Sequence, residues 1–103
     1  MEFIYENHKI YVKDNEDKVI VEATFPLYNK ETVVVDHTYV DPTLRGHGVA
    51  SKLMHEVCKH AEKLGYKVVA TCPYSIVWFK KHKEYDHLID QLIQAELSPE
   101  CRI

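Results

Sequence analysis

Two glycines separated by one residue, Gly46 and Gly48, follow Arg45 and lead into a helical apolar pattern, an arrangement suited to holding an anion. Glycine lets the backbone turn at positive φ and lets a phosphate approach with no Cβ in the way. The first-turn amides of a helix have no partner within it, and the helix dipole adds positive potential at that end. Arg45, and less directly Lys52, would supplement those donors. An ordinary tight strand-to-helix connection uses the same residues, so the spacing alone leaves both readings open.

Three other side chains have the chemistry of a nucleophile or a proton carrier. Cys72 ends the apolar run KVVATC, and Pro73 directly after it suits a helix start. Helix-terminal amides lower a thiol pKa and favour the thiolate. His37, inside a run of β-branched residues, is a candidate general base because imidazole titrates near neutral pH; Asp36 beside it competes for that role. Tyr74 offers a hydroxyl as general acid. Each has a structural alternative: a buried inert thiol, a hydrogen-bonded imidazole, a packed ring among seven tyrosines. Cys58 reads as packing inside a helix and Cys101 as incidental near the end. His60, His82 and His87 lack any carboxylate–histidine spacing that would mark zinc, so no metal ligand set is assigned.

These residues must be positioned by strands and helices whose patterns are legible. Lys9–Lys13 and Lys18–Phe25 alternate as two strands of a hairpin across the polar turn Asp14–Asp17. Residues 1–8 carry little signal. Thr32–Val40 reads as the third strand of an antiparallel meander, with Val33, Val35, His37 and Tyr39 on one face. Pro42 interrupts it. Ala50, Leu53, Met54, Val57, Ala61 and Leu64 recur at helical steps, so a helix runs from about Gly46 or Gly48 to Leu64 and stops at Gly65. Lys67–Cys72 returns as a buried strand, parallel to Thr32–Val40 and diverging from it at the C-terminal ends. A short helix follows Pro73, with Trp78 either packed or lining a groove. Asp86–Leu97 has helical spacing again, ended by Ser98-Pro99. The expected fold is one α/β domain over residues 1–103, with helices packed on a mixed, mostly antiparallel sheet.

The stretch RGHGVASKL, after an apolar strand and a short Asp-Pro loop, resembles the acyl-coenzyme A pyrophosphate loop of the GCN5-related N-acetyltransferases. HTYV before the loop and ATCPYSIVWFKKHKEY after the helix make the chain similar to the small, single-domain branch of that superfamily. The resemblance covers about residues 8 to 86. It implies an acetyltransferase fold with a splayed parallel strand pair. It also implies acetyl-CoA as acetyl donor, its diphosphate held by Arg45, Gly46, His47, Gly48, Val49 and Ala50. The pantetheine arm would lie along the backbone of Tyr39 and Val40, with an amide between Thr38 and Val40 polarising the acetyl carbonyl. Small members carry a cysteine at the place of Cys72, aimed at the acetyl region, and Tyr74 would protonate the departing thiolate. One departure is visible: the superfamily usually has Gln or Arg three residues before the first loop glycine, and this chain has Thr43. The pair of helices usual between the first two strands is missing, which implies an open acceptor groove.

Composition narrows the function further. A chain of 103 residues leaves no room for a second substrate domain, and 46% hydrophobic residues suit a packed core. The net charge is −3 and the lysines are scattered, which argues against a nucleic-acid partner. No apolar run reaches membrane-spanning length and the N-terminus lacks a signal pattern, so a cytoplasmic protein without a membrane partner is expected. Three cysteines without paired spacing suit free thiols. The leading expectation is acetyl transfer from acetyl-CoA to a primary amine, on a small molecule or a protein lysine. The alternative is an acyl-CoA binding or regulatory module with little catalysis. A purely structural interaction protein would leave RGHG unexplained. Oligomeric state is open.

Overall fold

Between Val35 and His37 the chain changes partners, and that exchange shapes the molecule. The computed structural model describes residues 2–97, in which six strands and three helices follow one another along the chain. They are β1 (Ile4–Glu6), β2 (Lys9–Lys13), β3 (Val19–Thr24), β4 (Thr32–Val35), β5 (His37–Val40), α1 (Val49–Leu64), β6 (Lys67–Ala70), α2 (Pro73–Lys81) and α3 (Gln91–Leu97). Short 3-10 turns cover Pro42–Leu44 and Lys83–Leu88.

Strands β1, β2, β3 and β5 form an antiparallel sheet in that order, while β4 and β6 form a parallel pair. The expected single strand Thr32–Val40 is therefore two. β4 pairs with β6 from Thr32 opposite Lys67 to Val35 opposite Ala70, and β5 then pairs with β3. Asp36 makes the bend: its amide donates to the Thr24 carbonyl at 3.3 Å, and its Oδ1 accepts from the Thr24 hydroxyl at 2.6 Å. The bend also breaks the expected side-chain alternation. Val33 and Val35 are fully buried, but His37, which shares their parity, is turned out to solvent. Beyond Val35 and Cys72 the parallel pair has come apart, as expected.

The hairpin turn between β2 and β3 is tied by Asp14 Oδ1, which accepts from the amides of Glu16 and Lys18 at 2.8 and 3.0 Å. Sequence reading missed β1, because its three residues are exposed; it pairs with β2 at the sheet edge, and Tyr5 reaches across to Glu56 and His60 of α1. Helix α1 begins at Val49, not at either glycine; Gly48 is its N-cap and Gly65 its C-cap, both in the left-handed region. Its buried face, Val49, Leu53, Met54, Val57, Cys58 and Ala61, covers the sheet and shares one core with Ile10, Val21, Phe25, Val35 and Phe79. No helix among the described residues is long and apolar enough to cross a membrane.

The expected helix Asp86–Leu97 is not continuous. Ile89 is drawn out to bridge Val68 of β6, the Asp90 amide donates to the Val68 carbonyl at 3.3 Å, and Asp90 Oδ1 then accepts from the Ile93 amide. Leu88, at the end of the 3-10 turn, and Ile89, at the bridge, are both buried in the core, and neither belongs to α3. On α3, the buried side-chain amide of Gln94 accepts from the Ala70 amide (2.7 Å) and donates to the Ala70 carbonyl (2.9 Å). It completes the outer edge of β6 as a strand would. The Ser98-Pro99 stop, the tail after it and Cys101 lie outside the described residues.

Candidate functional site

Among the described residues, the parting of β4–β5 from β6 leaves one edge of β5 without a strand partner. The Asp41 amide donates to the Ile20 carbonyl at 2.7 Å, so along an antiparallel pair alternate residues face β3. That parity turns the amides and carbonyls of Thr38 and Val40 to the free edge. The Val40 carbonyl accepts there from Arg45 Nε at 3.0 Å. Tyr39, between them, is half-buried, and its backbone groups face β3.

Two adjoining cavities follow that edge. One of about 330 Å³ is lined by Thr38, Tyr39, Val40, Arg45, Ala50 and Tyr74. The other, about 260 Å³, continues past Val40 and Tyr74 to Gly46, Gly48 and Val49. They share Val40, Arg45, Ala50 and Tyr74 and so form one groove from strand edge to glycine loop. A third cavity, among Tyr5, Glu56, Lys59, His60 and Lys63, has no residue in common with the groove.

Gly46 and Gly48 have φ of 85° and 73°, and a Cβ added at either would meet no protein atom within 4 Å. The glycines therefore face open space, and their need is conformational and one of access, not of internal packing. Lys52 is the first residue of α1 to donate back to the Gly48 carbonyl (3.1 Å), which leaves the first-turn amides of Val49, Ala50 and Ser51 to point out of the helix end. His47 is exposed in the loop and Val49 is buried beneath it. Thr43 is committed elsewhere, its hydroxyl and amide both donating to Asp41 Oδ1 at 2.7 and 3.0 Å. These bonds close the Pro42–Leu44 turn and, with Lys18 and Arg45 nearby, hold the Asp41 carboxyl below its ordinary pKa against the opposing effect of burial. A loop with two accessible left-handed glycines, outward amides and a guanidinium fits a diphosphate.

Cys72 is the N-cap of α2, with Pro73 in the first turn. Its Sγ lies 3.3 Å from Thr38 Oγ1 across the strand gap. Burial pushes its thiol pKa up, but the Thr38 hydroxyl, the amide and hydroxyl of Ser75 and the Tyr74 amide outweigh it, and the net shift is downward. Cys58 is the opposite case: burial first, then Glu62 and Glu84, push its thiol up to about 12. Tyr74 is partly exposed, and burial followed by the neighbouring Cys72 raises its pKa, so its hydroxyl keeps the proton at neutral pH. Tyr74 and Thr38, the residues flanking Cys72, both line the groove.

The structure thus gathers Tyr74, Val40, Arg45, Gly46, Gly48, Val49 and Ala50 along one groove, with Cys72 behind its Thr38 end; Cys72 and His47 do not line the groove themselves. His37 stands apart: it is exposed, its Nε2 lies 3.5 Å from Glu22 Oε1, and it is not among the side chains lining either cavity. Trp78 is packed, with its indole donating to Ser51 Oγ at 2.9 Å, so it ties α2 to the first turn of α1. Sequence reading missed Thr38 as the thiol's partner and Ser75 beneath it. The shared parity of Thr38 with Val40 was readable in the sequence, but nothing in it brought Thr38 to Cys72, 34 residues away.

A family model described as GCN5-related N-acetyl-transferase matches residues 9–88. Among solved structures, a GCN5-like candidate N-acetyltransferase from Staphylococcus aureus is 28% identical, with a TM-score of 0.72 over 85% of this chain and 86% of its own. An acetyltransferase from Bacillus cereus is 25% identical with a TM-score of 0.57, over 79% of this chain; the match spans 56% of that protein's length. A Mycobacterium tuberculosis protein solved in complex with CoA shares the fold at 15% identity, with a TM-score of 0.60 over 90% of this chain and 66% of its own. No curated protein matches the chain.

Proposed function

The chain belongs to the GCN5-related N-acetyltransferase family, and from that premise we propose that it moves an acetyl group from acetyl-CoA to a primary amine. The observation that carries the reading is the single groove joining the glycine loop at the α1 N-terminus to the strand gap at Cys72. The complex of the Mycobacterium tuberculosis protein with CoA supports the same ligand class on this fold.

Bound acetyl-CoA would supply an activated thioester carbonyl. The chain's own groups do the rest. Arg45 and the amides of Gly46–Ala50 hold the diphosphate, with His47 at the loop's outer face. The free backbone edge of Thr38 and Val40 pairs with the pantetheine arm, and an amide there polarises the carbonyl. Tyr74 holds a proton for the departing thiolate. The acceptor amine would arrive deprotonated through the open side of the groove and attack the thioester carbon directly, since proximity and orientation are the larger part of such a step. The C–N bond forms as the C–S bond breaks, and the nitrogen's surplus proton restores the Tyr74 hydroxyl or passes to water. The acidic balance of the chain favours a cationic acceptor, a polyamine or a protein lysine. His37, paired with Glu22 at the surface, is assigned at most to drawing the proton from an incoming amine.

The lowered pKa of Cys72 favours a second reading, in which its thiolate takes the acetyl group and passes it on. Intact-protein mass spectrometry after incubation with acetyl-CoA separates the two. Direct transfer predicts no adduct on Cys72, turnover of an amine panel by wild type, and partial turnover by Cys72→Ala. The relay predicts a Cys72 acetyl adduct that added amine discharges, and no turnover by Cys72→Ala. Tight acetyl-CoA binding with no turnover of any amine would contradict both and leave a binding module.

A further inference from the structure

His55 on α1, His82 at the end of α2 and Glu84 in the following turn are distant in sequence, yet each offers a donor atom and the three lie within 4.8 Å of one another. Both rings are already held at Nδ1. His82 Nδ1 lies 2.8 Å from the Trp78 carbonyl, which can only accept, so that nitrogen carries the proton and Nε2 keeps its lone pair. His55 Nδ1 lies 2.9 Å from the Tyr85 hydroxyl, whose oxygen can accept in the same way. An oxygen acceptor on the far ring nitrogen is the arrangement that orients imidazole as a metal ligand.

The rings are also fixed by packing. His82 stacks on Trp78 at 3.9 Å and 10°, His55 stands at 85° to His82 with centroids 5.3 Å apart, and the Trp78 indole is anchored on Ser51. Glu84 is exposed and free to adjust. Donors about 2 Å from a tetrahedral zinc ion sit roughly 3.4 Å from one another, so the widest pair, at no more than 4.8 Å, closes by at most about 1.4 Å on loading. The exposed Glu84 side chain can move toward the two rings without disturbing the core.

We propose that His55, His82 and Glu84 form a binding site for a divalent transition metal, zinc above all, with a fourth position left to water. Two imidazoles and one carboxylate are a donor set of borderline softness, which selects zinc and its neighbours over magnesium or calcium. The ion would brace α1 against the α2 corner. Those are the two helices whose N-termini carry the glycine loop and Cys72, so the brace would act on the geometry of the groove from outside it.

The test uses the full chain, treated with chelator, freed of it, and titrated with zinc chloride by calorimetry. The expected result is one saturable equivalent, a raised melting temperature, and affinity weakened about tenfold or more in His55→Gln and in Glu84→Gln. Glu84 is exposed, so Glu84→Gln tests the site even if His55→Gln fails to fold. Cobalt substitution supplies an independent readout: the site predicts visible d–d bands without a thiolate charge-transfer band in the near ultraviolet. Absence of saturable zinc binding, binding unchanged in folded Glu84→Gln, or a thiolate band pointing to the cysteines would overturn the proposal.

Discussion

Cys58 and Cys72 are both buried thiols, but only Cys72 has donors aimed at it. Cys58 sits in the core beside the carboxylates Glu62 and Glu84, all of which oppose a thiolate. Cys72 has the first-turn groups of α2 on one side and the Thr38 hydroxyl on the other. Alkylation by iodoacetamide, followed by peptide mapping across pH, should therefore show Cys72 reacting below the pH range of an ordinary thiol and Cys58 unreactive in the folded chain. Thr38→Val removes a hydrogen bond that favours the charged form, so it should move the Cys72 profile to higher pH and leave Cys58 unaffected. An unchanged profile in Thr38→Val would show that the hydroxyl does not tune the thiol. Cys72 was legible in the sequence from its place between a strand pattern and a helix-starting proline. Thr38 was not, because its contact crosses a gap between strands 34 residues apart in sequence.

Strand β6 lies between β4 and α3, and among the described residues its outer edge carries the Ile89 bridge to Val68 and no full strand at Ala70. Gln94 covers Ala70 with both atoms of its side-chain amide. Gln94→Leu keeps much of the volume but leaves the buried Ala70 amide and carbonyl without partners, so chemical denaturation should report a loss of about 2–4 kcal/mol. A loss below about 0.5 kcal/mol would mean that the edge finds water or another donor. The same region shows why the sequence misleads at this level. Leu88, Ile89, Leu92 and Ile93 recur at helical steps, but Ile89 is buried by a bridge to Val68 and Leu92 is exposed. Apolar spacing cannot tell a helix from a 3-10 turn, a bridge and a short helix in series. Nor does it mark a buried glutamine, whose polarity reads as surface. The break at Asp36 escaped for a related reason: TVVVDHTYV is strand-like throughout, and only the competing claims of β6 and β3 divide it.

At the scale of the whole molecule, the two sheets, α1 and α2 meet at one place. The chain leaves β4 for β3, β6 runs on to Cys72, and the N-termini of both helices face the space between. The strand order that produces this divergence was legible from an apolar strand, a glycine turn, a helix and a returning strand. The cavity dimensions were not, because they depend on side chains contributed by five separate elements. Everything assigned to the groove depends on the glycine loop being the diphosphate site. The most direct measurement is calorimetric titration of acetyl-CoA into the wild type and into Gly48→Val, with circular dichroism as the control for folding. A Cβ at Gly48 would meet no protein atom within 4 Å, so a valine there strains the backbone at φ 73° and fills the space a phosphate would use. Saturable one-to-one binding by the wild type and none by a folded Gly48→Val are expected. Equal binding by the two would show that the loop is not the diphosphate site.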